Sequence, residues 1–407
     1  MASLTIHDLV ERIAAITDTP GAGSTRLGYS ELEDSAHEFV WQNLKHIDGL
    51  VRVSDSAGNL FVVPETAVRD QTDGVLLIGS HLDTVINGGS FDGVLGVAAA
   101  ISVLIEKCTD GKAHPRLGLV VFRDEEGVRF RNGLFGSRAF AGLVQEHDLD
   151  VLDHDGNRLR DLVPDAKALI DGYRPPVRPL GFLECHIEQG IKLESRDVDV
   201  GVVTGIVGIR RFEVRAVGEA NHAGTTEMAR RKDALVGLAG LVADLPSLVE
   251  GVEHGVITCG SLSVHPGAPN VIPGEALGVV EMRAPNAEEL DLIEQRLSHA
   301  VARARDNESG VQFIVNELVR IEPMTTDSGL LHRLRSVLDD MAISSVDLPS
   351  MAGHDTQNAL RVCPAAMFFI PSARGISHNP EEFSKPEHVL NAARVMNAWA
   401  ESVLEEV

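Results

Sequence analysis

Short apolar runs alternate with longer amphipathic stretches along the first half of the chain. Residues 75–80 (VLLIGS), 117–122 (LGLVVF) and 181–188 (GFLECHIE) have the length and near-unbroken apolarity of buried strands. Between them, residues 92–107 and 133–144 have helical length and spacing, and the first sixteen residues read as an amphipathic helix. Strands alternating with helices predict an α/β sheet covered on both faces. Near Gly208 the pattern changes. Residues 209–219 (IRRFEVRAVGE) alternate as a strand with one exposed face, 233–250 read as a helix, 254–264 and 274–284 as strands, 286–306 as an amphipathic helix and 310–321 as a strand. That order predicts a smaller inserted α+β domain of ferredoxin-like type, with helices on one face. After about residue 322 the first pattern resumes with a helix (SGLLHRLRSVLDDMA), a strand over 365–371 and a closing helix (KPEHVLNAARVMNAWAESVLEE). The predicted organisation is a discontinuous main domain, 1–208 and 322–407, interrupted by an insert, 209–321.

The strand ends carry the candidate chemistry. His81 and Asp92 follow one apolar run (HLDTVINGGSFDG), Glu125 and Glu126 the next (FRDEEG), His186 falls in LECHIEQG, and His378 lies in ARGISHNPEE. In open α/β sheets, ligands bind at the carboxyl ends of the strands. A lone histidine there is ordinarily a satisfied polar residue, but several strand ends delivering only His, Asp and Glu can build a metal site. The HxD spacing places Asp83 to hold the ring nitrogen of His81 turned away from a metal. Asp92 follows a Gly-Gly turn at a helix start, where a carboxylate can bridge two metals. The adjacent carboxylates of Glu125 and Glu126 repel each other, and on a solvated loop they would mean nothing. In different environments one can bind metal while the other moves a proton. Such nitrogen and oxygen donors suit Zn²⁺, Mn²⁺, Co²⁺ or Ni²⁺.

Composition narrows the partners. Of 407 residues, 44% are hydrophobic and 24% charged, as in an ordinary globular protein. The formal net charge of −24 argues against nucleic acid and requires a local cationic anchor for any anionic substrate. The four cysteines form no CxxC pair, unlike a disulfide framework or a thiolate zinc site. No run approaches the roughly 18 apolar residues of a membrane span, and the N-terminus lacks the basic start of a signal peptide. A reduced cytoplasm is the expected location, in which the sequon Asn307-Glu308-Ser309 has no meaning.

At these residues the chain closely resembles the hydantoinase/carbamoylase amidase branch of the M20 metallopeptidase-like hydrolases, which includes N-carbamoyl-L-amino acid hydrolases, β-ureidopropionases and allantoate amidohydrolases. The resemblance runs in order through GSHLDTVINGGSFDGVLGV, DEEGVRF, GSRAFAG, HIEQG, NHAGTT, RRKDAL, PNVIPGE, EMRAPN, AGHDTQ and GISHNPEE. It implies two divalent metals per subunit, one held by His81 and His186, the other by Glu126 and His378, with Asp92 bridging and Glu125 as general base. It also implies that Gln189, His222, Asn270, Arg283 and His354 bind substrate, that the insert is a lid and dimerisation domain, and that the protein is a homodimer. Arg283 is the cationic anchor the composition required, since a guanidinium grips a carboxylate with two bonds. On sequence alone Arg283, Asn270 and His222 would be a strand-end surface residue, a turn residue and a cap.

The chain departs from the family at Glu227, where proline is common, at Cys185, at Met351-Ala352 and at Thr356. These departures bear on the substrate more than on the chemistry. The resulting expectation is hydrolysis of a linear amide or ureido C–N bond in a small carboxylate, foremost an N-carbamoyl-L-amino acid, giving the amino acid, carbon dioxide and ammonia. Allantoate and N-acyl amino acids are the alternatives. A non-catalytic metal-binding protein on the same fold is a further one, opposed by Glu125, a carboxylate that a binding protein does not need beside a ligand.

Overall fold

The computed structural model describes residues 4–70, 74–307 and 310–405. The first three residues of the predicted N-terminal helix, Glu406 of the closing helix, and Glu308 and Ser309 of the sequon lie outside them. The strands in chain order are β1 (Leu50–Ser54), β2 (Leu60–Pro64), β3 (Val75–His81), β4 (Leu117–Phe122), β5 (Pro179–Ile187), β6 (Val200–Ile206), β7 (Gly208–Val217), β8 (Val256–His265), β9 (Glu275–Ala284), β10 (Gln312–Ile321), β11 (Met324–Thr325), β12 (Ser345–Ser350) and β13 (Ala365–Ile370). The chain divides into two compact units. One comprises Met1–Thr204, Thr326–Leu348 and Gly353–Val407, the other Gly205–Thr325 and Pro349–Ala352.

The first unit is built on a mixed sheet in the order β1-β2-β4-β3-β5-β13-β6, with β12 also paired to β6. Its centre, β4-β3-β5-β13, is parallel, and β1, β2 and β6 run antiparallel to their neighbours. Every residue of β3, β4 and β13 is buried, as expected of apolar runs covered on both faces. One cover is a core shared by the helices Ile6–Ala14, Glu31–Leu44, Val94–Glu106, Ser328–Asp340 and Pro386–Leu404. The opposite face is closed by a cluster that includes Phe61, Phe122, Phe140 and Phe182. The helix Val94–Glu106 is apolar almost all round and accordingly almost wholly buried. Gly96 lets it approach the sheet, because a Cβ there would meet the Cys185 carbonyl oxygen at 2.5 Å.

In the second unit the sheet order β10-β7-β9-β8, antiparallel throughout, is that of a ferredoxin-like fold. The helices Ala234–Asp244 and Ala287–Asn307 pack on one face, over a core containing Phe212, Val214, Val280 and Met282. Burial along β9 alternates residue by residue, the signature of a sheet with one covered face.

Some elements differ from expectation. The helix predicted over 133–144 is confined to Phe135–Phe140. That predicted over 233–250 is α-helical only to Asp244 and continues as a 3₁₀ turn over Leu245–Val249, where Pro246 has no N–H to extend the ladder. The β1–β2 hairpin and the helix Glu31–Leu44 were not anticipated.

Candidate metal centre

Four neighbouring parallel strands deliver the candidate residues. His81 is the last residue of β3, Glu125 and Glu126 follow β4, His186 is the penultimate residue of β5, and His378 lies in the loop after β13. The tightest constraint is at Gly93, between Asp92 and the helix Val94–Glu106. Its φ is +65°, and a Cβ would meet the His81 ring at 2.5–2.6 Å. Glycine alone tolerates both the left-handed backbone and the imidazole against it.

Among the described residues, two groups bring ligand atoms within 4.8 Å of one another: His81, Asp92 and His186, and Asp92, Glu126 and His378. Asp92 belongs to both. Its Oδ1 lies 3.1 Å from His186 Nε2 and 3.5 Å from His81 Nε2, and its Oδ2 lies 3.3 Å from His378 Nε2. Glu126 Oε2 is 3.5 Å from the same His378 nitrogen. The other ring nitrogens are turned outward: His186 Nδ1 is 2.9 Å from the Ile187 carbonyl, and His81 Nδ1 is 3.1 Å from that of Asp83. Backbone acceptors at Nδ1 leave the Nε2 lone pairs directed into the centre.

The Asp83 carboxylate does more than the HxD spacing suggested. It approaches His81 Nδ1 at 3.5 Å, and its two oxygens accept the backbone N–H groups of Glu125 and Glu126 at 2.9 and 3.0 Å. One side chain thus fixes the DEEG loop relative to His81. Glu125 Oε2 stands 3.8 Å from His81 Nε2.

The donor set fits a divalent metal. His81 Nε2 and Glu126 Oε1 are buried with no hydrogen-bond partner, an unusual state for buried polar atoms and one that an ion relieves. Burial, with Glu126 and Asp355 nearby, pushes the Glu125 carboxyl well above the usual range, and burial beside Asp92 pushes Glu126 up to about 8. Burial opposes ionisation of Asp92 as well, yet the surrounding histidines hold it well below the usual range. His378, bonded to Asp92 and close to Glu126, is raised to about 9. A cation among these groups would favour the ionised carboxylates that burial opposes.

The predicted substrate residues are dispersed. Gln189 is in the first unit, but its amide Nε2 donates to Asp92 Oδ2 at 2.7 Å. His354 is buried edge-on to the His186 ring at 4.6 Å, with no hydrogen bond to either nitrogen, and burial holds it neutral. His222, Asn270 and Arg283 belong to the second unit. There His222 and Asn270 are exposed on adjoining segments, the Ala223 N–H donating to the Asn270 carbonyl at 3.0 Å. Arg283 lines a groove of about 490 Å³ on the sheet face away from the helices, together with Arg211, Thr258, Glu281 and Met351. Its Nε donates to Glu281 at 2.9 Å and its Nη1 to the Met351 carbonyl at 2.9 Å.

Residues 77–402 match the model of the peptidase family M20/M25/M40. The chain is 35% identical over 376 residues to an N-carbamoyl-L-amino-acid amidohydrolase of Paenarthrobacter aurescens, covering 89% of each chain. It is 33% identical to an allantoate amidohydrolase of Bacillus subtilis (strain 168), covering 96% of this chain and 95% of that one. The crystal structure of a hydantoinase/carbamoylase family amidase from Burkholderia multivorans superposes with a TM-score of 0.85 at 29% identity, over 98% of this chain and 96% of that one. The chain belongs to the M20 family of hydrolases and, within it, to the hydantoinase/carbamoylase amidases, which act on C–N amide bonds.

Proposed function

We propose that the protein is a two-metal amidohydrolase that cleaves the ureido group of an N-carbamoyl-L-amino acid. The observation that carries this reading is Asp92, one carboxylate whose two oxygens face different histidines, at 3.1 Å and 3.3 Å. His81 and His186 would hold one divalent metal and Glu126 and His378 the other, with Asp92 serving both groups. Bound there, the metals would supply Lewis acidity toward water and the substrate carbonyl. Glu125 accepts the proton of the attacking water and returns it to the departing nitrogen. One C–N bond breaks, and the carbamate that remains falls apart into carbon dioxide and an amine. Arg283 meets the substrate carboxylate, Gln189 and His354 orient the ureido end, and His222 and Asn270 stabilise the developing oxyanion. Identity to relatives named for N-carbamoyl-L-amino acids favours this substrate. The allantoate amidohydrolase relatives favour allantoate as the second reading, for the two share a ureido nitrogen on the carbon that bears a carboxylate.

The second unit acts as lid and dimerisation domain in this reading. Supporting the latter, β8 is an edge strand of ten residues with no Asp, Glu, Lys or Arg, and such an edge invites pairing with a second copy. No described helix is long and apolar enough to cross a membrane, and all four cysteines are free thiols. A reduced cytoplasm is the location that belongs to this reading.

The test is ammonia release by stripped protein reloaded with Mn²⁺, Zn²⁺, Co²⁺ or Ni²⁺, on N-carbamoyl-L- and D-amino acids, N-carbamoyl-β-alanine and allantoate, with N-acetyl amino acids followed by amine release. Metal-dependent turnover of N-carbamoyl-L-amino acids is expected. Turnover of allantoate alone would select the second reading. Failure to bind any metal would remove the reading altogether.

A further inference from the structure

We propose that Glu382 is a positioning residue that locks the loop carrying Asp92 to the loop carrying His378, so that the two metal-ligand groups form or fail together. This rests on the reading of those residues as ligands. Asp92 is common to both groups, yet neither it nor His378 lies in a helix or strand. Something other than secondary structure must fix their separation.

Glu382 is buried at 6% exposure and spans the gap. Its Oε1 accepts the backbone N–H of Phe91 at 2.8 Å and that of Asp92 at 3.2 Å. Its Oε2 lies 2.8 Å from the hydroxyl of Ser377, the neighbour of His378, and that hydroxyl lies 2.9 Å from Asp92 Oδ2. One side chain therefore holds the Asp92 backbone directly, across 290 residues of sequence, and stands against the Ser377 hydroxyl that meets the Asp92 carboxylate. Beside it, the Phe91 and Phe383 rings meet edge to face at 6.2 Å. The loop is shaped around this side chain: a Cβ on Gly89 would meet the Glu382 Cδ and Oε1 at 2.1 Å and its Cβ at 2.4 Å. Any residue but glycine at 89 must displace the whole Glu382 side chain.

The experiment compares Mn²⁺ and Zn²⁺ affinity and stoichiometry, by chelator competition and elemental analysis, in wild type, Glu382→Ala, Glu382→Gln and Gly89→Ala. Loss of a residue that orients a ligand weakens metal binding by about 10- to 100-fold. Glu382→Ala is expected to do so at both sites, and Gly89→Ala to follow it. Glu382→Gln should stay near wild type, because its Oε1 accepts the same N–H groups while its Nε2 donates to Ser377, whose proton remains for Asp92. Folding is checked by circular dichroism and Tm. A latch that only stabilised the fold would lower Tm and leave affinity unchanged, and that outcome overturns the proposal. So does weakening of one site with the other intact. If Glu382→Ala does not fold, Ser377→Ala and Gly89→Ala probe the same link, and unchanged metal affinity in both overturns the proposal. A wild-type chain that binds no metal sinks the proposed function and this inference with it, whereas normal wild-type binding with indifferent variants sinks this inference alone.

Discussion

Glu125 and Glu126 are chain neighbours with different surroundings, and the division of labour proposed for them can be tested at one atom. Glu126 faces His378 at 3.5 Å, whereas Glu125 approaches His81, at 3.8 Å. Glu125→Gln preserves shape but cannot accept a proton. It should leave metal content unchanged and lower kcat by about 10²- to 10⁴-fold, the usual worth of general acid–base catalysis. Elemental analysis with steady-state kinetics checks both halves, and a wild-type rate removes the base assignment. At this scale the sequence discloses residues that combine a chemical type with a strand end. His81, Asp92, Glu126, His186 and His378 could be picked out because His, Asp and Glu are conspicuous after apolar runs. Three other roles could not. Asp83 was visible only as a partner of His81, since its bonds to the Glu125 and Glu126 N–H groups cross 42 and 43 residues. Glu382 looks like one more acid in NPEE, and Gly93 like one more glycine, until the His81 ring is seen against it. Their roles are made by tertiary approach, which no local pattern encodes.

At the scale of elements, the register of β7 and β9 bears on how Arg283 would act. Arg211 on β7 stands directly opposite Glu281 on β9, and Arg283 follows two residues on, on the same face. The Glu281 carboxylate is consequently shared by two guanidiniums, which hold it below the usual carboxylate range against the effect of partial burial. Arg283 donates Nε and Nη2 to Glu281 and Nη1 to the Met351 carbonyl. Among the described residues this leaves one N–H on each terminal nitrogen, from which the guanidinium can still donate to a carboxylate. Arg283→Lys offers a point charge in place of that fork and should raise KM for an N-carbamoyl amino acid by about 10-fold or more, on the order of the 1.4 kcal/mol that a tenfold change represents. Saturation kinetics decide it, and unchanged KM and kcat would exclude Arg283 from substrate binding. The alternation that exposes Glu281 and Arg283 together was legible in EMRA, as were the parallel strands in their apolar runs. The hairpin β1–β2 was not singled out, although LFVVP is an apolar run like the others, because strands of only five residues are too short to set a period against their flanks.

For the whole molecule, net charge and local charge oppose each other. A chain of formal charge −24 repels an anionic substrate at long range. Arg211, Glu281 and Arg283 together carry a net positive charge that attracts it at contact. Salt separates the two, because the Debye length shrinks from about 30 Å at 0.01 M to about 8 Å at 0.15 M. Repulsion summed over the surface acts across tens of ångströms and is largely lost over that range. Contact between a guanidinium and a carboxylate at about 3 Å lies well inside either length and is screened far less. Raising ionic strength from about 0.01 to about 0.15 M with an inert salt should therefore raise kcat/KM for an N-carbamoyl amino acid. A neutral N-carbamoyl amino acid amide, where it is turned over, serves as a control that changes little. Initial rates across a salt series at constant metal and pH make the measurement. A fall in kcat/KM with salt would mean that the field at the groove mouth is already positive, and that the acidic surface is turned away from the path by which substrate arrives.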